Sequence, residues 1–450
     1  MKDIKIQYTH HPLLQQSAHL HEWTEQTMRS NVYDIPSPIL SRKTQHILHP
    51  IAQHFQQTQR NWKQYLVSVA EMEPSVFSDE HADNVFQQIT YSEIQTIRPQ
   101  IHDQIREGIH AQFVFGERTV NVYMMFPNWM KGRIQKHQNQ YFMRIAMWLN
   151  WAFTVASPNC SEKLDVYLFL TDLTKLLPEH SRTPLGTVNV NTAYTTPCNR
   201  NTKIILFRYE EWFKVFIHET MHCLGLDFSS VDGKKYDTQI LSLFRGCDPK
   251  TEVSLTETYT EVWAEIINIM FCVICERENT HSRAQARART IRSIRNNRKT
   301  MKSPFSWNKI NQKIIQRLRI EQQFSVFQCS KILRHYDMTY MELCNSSKRE
   351  NKHKYTENTP VLAYYIIKTI LMMNMNAFIE WCATHNRPHP VRMTLSPEVI
   401  KSFVALIQKK YLNSEWTETI QRAQDALTVP SPHNTEWIYQ TLRMTANECV

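Results

Sequence analysis

The stretch from Lys203 to His222 decides the fold, and it reads KIILFRYEEWFKVFIHETMH. Its first five residues, Lys203–Phe207, form a compact apolar run typical of a short buried strand. From Arg208 to Leu224 the apolar residues recur at helical spacing, which predicts an amphipathic helix. Gly225 follows where a C-cap glycine belongs. The stretch therefore predicts a strand that leads directly into a core helix.

The end of this predicted helix carries the motif H-E-x-x-H, formed by His218, Glu219 and His222. Histidines four residues apart leave the same face of a helix, so both imidazoles can meet one ion. Neutral imidazole is well matched to zinc, and a carboxylate next to the first histidine can accept a proton from a zinc-bound water. The motif indicates one catalytic Zn²⁺ ion, with His218 and His222 as ligands and Glu219 as the general base.

A catalytic zinc site usually takes three protein ligands, so a third must come from elsewhere in the chain. The longer pattern H-E-x-x-H-x-x-G-x-x-H/D places it at Phe228, which cannot bind metal, and Asp227 lies one residue early. Glu261 is the stronger candidate, because a carboxylate on an otherwise apolar predicted helix (about Glu257–Cys275) needs a cation or hydrogen-bond donors. Glu265, one turn later, is predicted to accept a hydrogen bond from a ligand histidine. Asp227 as third ligand and a solvated acidic stripe remain the alternatives.

The residues before the quoted stretch predict a sheet. Two β-prone runs, Ala111–Phe115 and Thr119–Phe126, are joined by a glycine-containing turn and predict a hairpin. A helix over Gln138–Ala156, a strand over Leu164–Leu170 and an alternating, half-exposed strand over Thr187–Thr195 follow. This order predicts an α+β fold with a mixed sheet. The predicted domains are a helical N-terminal region (1–105), a central catalytic domain (106–275), a basic helical connector (276–320) and a helical C-terminal region (321–450).

Together these motifs resemble the gluzincin class of zinc metallopeptidases. The pattern E-x-x-A-E, here Glu261–Glu265, is most similar to the lethal-factor-type branch, and VNVNTAYT with the motif helix also resembles metallopeptidase-like proteins of large DNA viruses. The resemblance covers about residues 110–275 and implies a zincin-like central domain. It implies that His218, His222 and Glu261 are the zinc ligands. It also implies that Glu219 is the catalytic base and that Glu265 is a supporting carboxylate.

The resemblance also implies how a substrate is held. In zincins an edge strand pairs with an extended peptide, a general mode of recognition. In this chain that strand would lie within residues 186–195, with substrate-binding residues Asn189, Val190, Asn191 and Thr192. Lethal-factor-type enzymes carry a tyrosine seven residues before the glutamate ligand, where this chain has Ser254. The donor to the oxyanion is therefore left open among Tyr194, Tyr236 and Tyr259.

Composition and charge narrow the classes of function. The chain has seven glycines in 450 residues and no glycine-rich phosphate-binding motif, which argues against dinucleotide-binding and P-loop enzymes. The net charge of +10 arises in Asn279–Ile320, which holds twelve Lys and Arg and no acidic residue, while the rest has 40 positive and 42 negative residues. Arginines at helical spacing in 283–302 are able to bind nucleic acid or another acidic partner, or to face solvent.

The sequence also bears on the compartment. The first residues lack the apolar core of a signal peptide, and no apolar stretch reaches the length of a membrane span. Ten scattered cysteines suit reduced thiols, and Cys272 and Cys275 are predicted to be buried thiols in a helix. The chain is expected to be soluble and intracellular, in host cytoplasm or a virion if it is viral.

Two hypotheses of function follow. The first is a zinc-dependent endopeptidase that hydrolyses peptide bonds with a water activated by Glu219. The alternative is a non-catalytic structural or nucleic-acid-associated virion protein, which keeps a zincin core and binds through the basic residues 283–302.

Overall fold

Six strands form one mixed sheet in the order β1-β2-β3-β4-β6-β5. The computed structural model describes residues 19–20, 22–27, 35, 38–72, 95–292, 307–345, 354–427 and 436–448, without the side chains of 277–292. Strands β1 to β3 are antiparallel neighbours, β3, β4 and β6 run parallel, and β5 returns antiparallel to β6 at one edge. In chain order, the strands β1 to β6 are Leu66–Glu71, Glu107–Phe115, Arg118–Phe126, Lys163–Phe169, Ala193–Thr195 and Asn201–Leu206.

Helices cover the sheet and make up most of the described chain. The first seven, α1 to α7, are Arg42–Asn61, Arg98–Gln104, Lys131–Val155, Thr187–Val190, Trp212–Cys223, Lys234–Leu241 and Leu255–Arg292. Helices α8 and α9 are Trp307–His335 and Tyr340–Cys344, and a π-helix over Leu362–Ile367 follows. The remaining helices, α10 to α14, are Lys368–Met373, Met375–His385, Pro397–Lys410, Ser414–Ala426 and Glu436–Gln440. The mixed α/β fold predicted from the sequence is confirmed.

The hairpin predicted before the motif is formed by β2 and β3. The two strands pair from Glu107↔Phe126 to Phe115↔Arg118, and the turn residue Gly116 has φ +62°, which favours glycine. The strand β1 adds to the outer side of β2, so the sheet begins before the predicted boundary at residue 106. One continuous apolar core contains buried side chains from all four predicted regions. The division of the chain into four domains remains a prediction.

The predicted strand over Thr187–Thr195 is only partly present. Thr187–Val190 forms the helical turn α4, and extended pairing with β6 begins at Thr192. The cause is local: the Asn189 side chain accepts a hydrogen bond from the Gly186 N–H (3.1 Å) and donates one to the Leu176 carbonyl (3.1 Å). Asparagine caps of this kind favour a turn over a strand. The apolar–polar alternation therefore predicted too long a strand.

The cysteines differ from the prediction at one pair. Cys160 and Cys198 form a disulfide, with 4.9 Å between their Cα atoms. They lie just before the parallel neighbours β4 and β6, so the sheet brings them together although they are 38 residues apart. The expectation of reduced thiols throughout is therefore wrong here. The predicted burial of Cys272 and Cys275 as thiols is confirmed.

One described helical segment, Leu255–Glu276 in α7, is long and apolar enough to cross a membrane. Its apolar window is completely buried by the rest of the protein, as in the core helix of a globular domain. Two further helical segments, Leu362–Met373 and Met375–His385, are long and apolar enough only when they are taken together, and they are bent by 91° relative to each other. Burial rather than a lipid environment therefore accounts for the apolar character of α7.

Gly246 is predicted to be intolerant of any side chain. Its N–H donates to the Leu343 carbonyl, and an added Cβ would lie 2.5 Å from the Glu342 carbonyl oxygen. Because backbone atoms cannot move aside cheaply, Gly246→Ala is expected to lower the free energy of unfolding by about 1–3 kcal/mol, measured by denaturant titration. Gly233→Ala is the matched control, since its Cβ would meet only the Asp237 side chain at 3.3 Å. Equal stability of the two variants would contradict the prediction.

Candidate metal centre

The helix α5 is the scaffold of the site, and all of its residues are buried. It begins at Trp212 rather than at the predicted Arg208, because Glu211 adopts a left-handed conformation (φ +60°) that ends the segment after β6. The helix packs against α7 and β6. Its histidines face the first turns of α7, where the sequence continues with three glutamates at four-residue spacing.

Two histidines and one glutamate bring three potential metal ligands to a single point. The Glu257 Oε2 atom lies 2.9 Å from His218 Nε2 and 3.4 Å from His222 Nε2, and the two Nε2 atoms are 3.1 Å apart. In a tetrahedral zinc site with bonds of about 2.0–2.1 Å, neighbouring ligand atoms are about 3.3 Å apart. His218, His222 and Glu257 are the one such group among the described residues, and they could hold a metal ion. We call these three residues the candidate metal site.

Carboxylates outside the site fix both imidazoles. The His218 Nδ1–H donates to Glu261 Oε2 (2.9 Å), and the His222 Nδ1–H donates to Asp227 Oδ2. Because an ionised carboxylate only accepts hydrogen bonds, each proton is held on Nδ1 and each Nε2 is left to face the site. This arrangement prepares both Nε2 lone pairs for a metal ion.

The histidine lone pairs and the Glu257 carboxylate at the candidate metal site favour the binding of a cation. Two Nε2 lone pairs 3.1 Å apart would repel each other, and the Glu257 carboxylate is beside them. Burial acts to lower the pKa of His222, but the charges of Glu257 and Asp227 outweigh it and raise that pKa well above its ordinary value. Burial acts to raise the pKa of Glu257, and the two histidines hold it well below its usual range. The donor set therefore fits a divalent metal ion, and a proton takes that place when no metal is present.

The carboxylate that meets the two Nε2 atoms is not the one that the sequence predicted. Glu261, the predicted third ligand, has both oxygens engaged, one by His218 Nδ1 and the other by Lys214 Nζ (2.5 Å). Glu265, predicted to support a histidine, instead lies 3.5 Å from Lys368 Nζ. Each predicted role is thus displaced by one turn of α7, because the crossing of α5 and α7 places Glu257 at the ligand position. Asp227, the alternative ligand, contacts His222 on its Nδ1 side.

Glu219 lies beside the candidate metal site on a small cavity. The cavity has a volume of about 30 Å³, enough for one or two water molecules, and its wall includes His218, Glu219 and Tyr364. Burial raises the pKa of Glu219, and the nearby histidines oppose that shift. A buried carboxylate with a raised pKa, next to potential metal ligands, has the properties of a general base.

A tyrosine from the C-terminal region reaches this cavity. Tyr364 lines the cavity together with His218 and Glu219, and its ring centroid lies 6.1 Å from that of His218. The three predicted tyrosines lie elsewhere: the Tyr236 hydroxyl donates to the Pro397 carbonyl and the Tyr259 hydroxyl to the Val391 carbonyl. Tyr194 packs on the opposite face of the sheet. Tyr364 lies 146 positions after His218 and carries no local motif, so sequence reasoning had no signal for it.

Three of the four predicted substrate-binding residues line the cavity. Val190, Asn191 and Thr192 contribute to its wall together with Ala193 of β5, whereas Asn189 is turned toward the Leu176 carbonyl. The strand β5 is at the edge of the sheet, as predicted for the strand that borders the site. The edge of the sheet and the motif helix therefore meet at Glu219 and His218.

Metal content distinguishes the two possible third ligands. With Zn²⁺ as the probe ion, Glu257→Ala is expected to abolish stoichiometric binding, because it removes one of the three converging atoms. Glu261→Gln is expected to retain zinc with affinity weakened about 10- to 100-fold, as for other residues that orient a ligand. Zinc titration with a chromophoric chelator measures both. Retention of zinc by Glu257→Ala with complete loss in Glu261→Gln would restore the assignment made from the sequence.

Zinc affinity is expected to rise with pH. The pKa values of His218 and His222 both lie above the ordinary histidine value, so the metal-free site carries a proton near neutrality that zinc must displace. The apparent affinity should therefore increase by about tenfold per pH unit until that proton is lost. Calorimetry in buffers of different ionisation enthalpy counts the protons released. Binding without proton release at pH 7 would contradict the shifted pKa values.

Comparisons with known proteins add nothing to this geometry. No family model, no curated protein and no solved structure matches the chain. The functional interpretation therefore rests on the arrangement of His218, Glu219, His222 and Glu257 and on the residues that surround them.

Proposed function

We propose that the protein is a zinc-dependent peptidase with a zincin-like core. The observation that carries the proposal is the convergence of two Nε2 atoms and one carboxylate oxygen within 3.4 Å, beside a buried glutamate. That constellation lies where a helix meets the edge strand of a sheet. The donor set of two imidazoles and one carboxylate is one that catalytic zinc sites use.

The residues around the site supply the parts that peptide hydrolysis requires. A bound zinc ion would supply Lewis acidity toward water and toward a carbonyl oxygen. Glu219 accepts a proton from the attacking water and passes it to the leaving amine, a role that its raised pKa favours. Tyr364 lines the same cavity as Glu219 and His218, which makes its hydroxyl the candidate donor to the oxyanion of the reaction.

A substrate would enter along the edge of the sheet. The strand β5 is the last strand of the sheet, and Thr192 and Ala193 border the cavity. An extended peptide added to this edge would bring a peptide carbonyl toward Glu219. The cavity of about 30 Å³ beside Glu219 has room for the attacking water, and the peptide itself would lie along the edge of the sheet.

The alternative of a nucleic-acid-associated protein remains a prediction. The basic segment 283–302 lies outside the described side chains, and residues 293–302 lie outside the described residues altogether. The helix α7 does continue to Arg292, in agreement with the predicted helical character of the first part of this segment. No described contact favours a nucleic-acid partner over a polypeptide substrate.

Loss of peptidase activity without loss of metal is the test of this proposal. Zinc-loaded protein is incubated with a proteome-derived peptide library, and new termini are counted by mass spectrometry. Glu219→Gln is expected to lower the rate of cleavage by about 10²- to 10⁴-fold while zinc content stays the same, because the general base is removed and the ligands remain. Glu117→Gln, at the exposed turn between β2 and β3, is the matched control. Equal cleavage by wild type and Glu219→Gln would refute the proposal.

A further inference from the structure

A buried lysine on the motif helix is connected to the candidate metal site through a carboxylate. Lys214 precedes His218 by four residues, so the two side chains share one face of α5. Its Nζ atom lies 2.5 Å from Glu261 Oε1, and the other oxygen of Glu261 accepts from His218 Nδ1. The side chains of Lys214 and Glu261 are only 2% and 1% exposed. The ammonium, the carboxylate and the imidazole thus form one continuous chain that ends at the candidate metal site.

The two histidines are supported by different chemistry. The carboxylate behind His222 belongs to Asp227, whose second oxygen accepts from the Ser229 N–H (3.1 Å) and hydroxyl (2.8 Å). Those donors are neutral, whereas the carboxylate behind His218 is bound by a full positive charge. A serine in a turn is sufficient to orient Asp227. The buried ammonium at Glu261 therefore has an effect beyond orientation, because it also compensates a charge.

We infer that Lys214 is a positioning residue of the metal site, which holds Glu261 away from the ion and keeps its carboxylate available to His218. With one oxygen bound to Lys214, Glu261 presents the other to the imidazole, and Glu257 alone completes the ligand set. Without the ammonium, Glu261 Oε1 loses the donor at 2.5 Å that fixes the orientation of the carboxylate. The carboxylate can then rotate, and its Oε2 atom no longer holds the His218 ring in place.

This inference deepens the proposed function, because it assumes the metal site on which that function rests. It does not assume peptidase activity. The measured quantities are therefore zinc affinity and the state of His218, both of which exist whether or not the protein cleaves peptides.

A second buried lysine provides the control. Lys175 borders the same cavity, is 1% exposed and lies 2.7 Å from Glu211 Oε2. Glu211 accepts from the backbone N–H groups of Met444 and Thr445, not from a histidine. Replacing either lysine by methionine removes a buried ammonium that is paired with a glutamate. Only at Lys214 does that glutamate contact a residue of the candidate metal site.

The test compares Lys214→Met with Lys175→Met in full-length protein. Lys214→Met is expected to weaken zinc binding about 10- to 100-fold, the usual effect of losing an orienting partner, whereas Lys175→Met should stay within about threefold of wild type. In zinc-loaded protein with ¹⁵N-labelled histidine, the downfield Nδ1–H signal that disappears in His218→Asn should also be shifted or lost in Lys214→Met. It should be unchanged in Lys175→Met.

A double variant separates positioning from a general loss of stability. Lys214→Met combined with Glu261→Gln removes both charges and leaves an amide oxygen to accept from His218. It is expected to bind zinc more tightly than either single variant, since neither charge is left buried alone. Wild-type zinc affinity and an unchanged His218 signal in Lys214→Met would overturn the inference, as would equal losses in the two lysine variants. Failure of the wild type to bind zinc would overturn the inference and the proposed function together, whereas zinc binding without cleavage would contradict the proposed function alone.

Discussion

The removal of three carboxylates on one face of α7 from bulk water is the constraint on which the site depends. Glu257, Glu261 and Glu265 follow one another at single-turn spacing; Glu261 and Glu265 are fully buried, and Glu257 is partly buried. A buried charge without compensation costs several kcal/mol in order of magnitude, so each carboxylate needs its own partner. Glu257 faces the two histidines, Glu261 is bound by Lys214 and His218, and Glu265 lies against Lys368. Burial, helped by the nearby Glu321 carboxylate, raises the pKa of Glu265 well above its ordinary value.

Buried carboxylates that accept hydrogen bonds also connect the candidate metal site to the segment Thr441–Glu448. Glu211, just before α5, accepts from the N–H groups of Met444 and Thr445, both at 2.6 Å. Glu321 on α8 accepts from the Thr445 hydroxyl (2.6 Å) and the Asn447 side chain (2.7 Å). These bonds hold Met444 against Lys214, with 3.6 Å between Sδ and Nζ. The candidate site is therefore completed by residues far beyond the central region that contains the motif.

Local patterns were sufficient for the elements whose signals are local. The hairpin of β2 and β3, the strands β4 and β6 and the helix α5 each carry an apolar period that matches the observed structure. The prediction from the apolar period failed where a side-chain hydrogen bond or a backbone conformation overrides that period. Asn189 caps a turn and ends the predicted strand early, and Glu211 delays the start of α5 by entering the left-handed region. The Cys160–Cys198 disulfide depended on the pairing of β4 with β6, which no spacing in the sequence reveals.

The sequence by itself determined that His218 and His222 leave the same face of one helix, with Glu219 next to the first, because residues four apart on a helix share a face. Only the tertiary structure decided which carboxylate meets them. The three glutamates of α7 are equivalent in their spacing, and the point at which α7 crosses α5 selects Glu257. The positions of Asp227, Lys214 and Tyr364 beside the site were decided in the same way. Their contacts arise from the path of the chain between elements, whereas periodicity reports only on residues within one element.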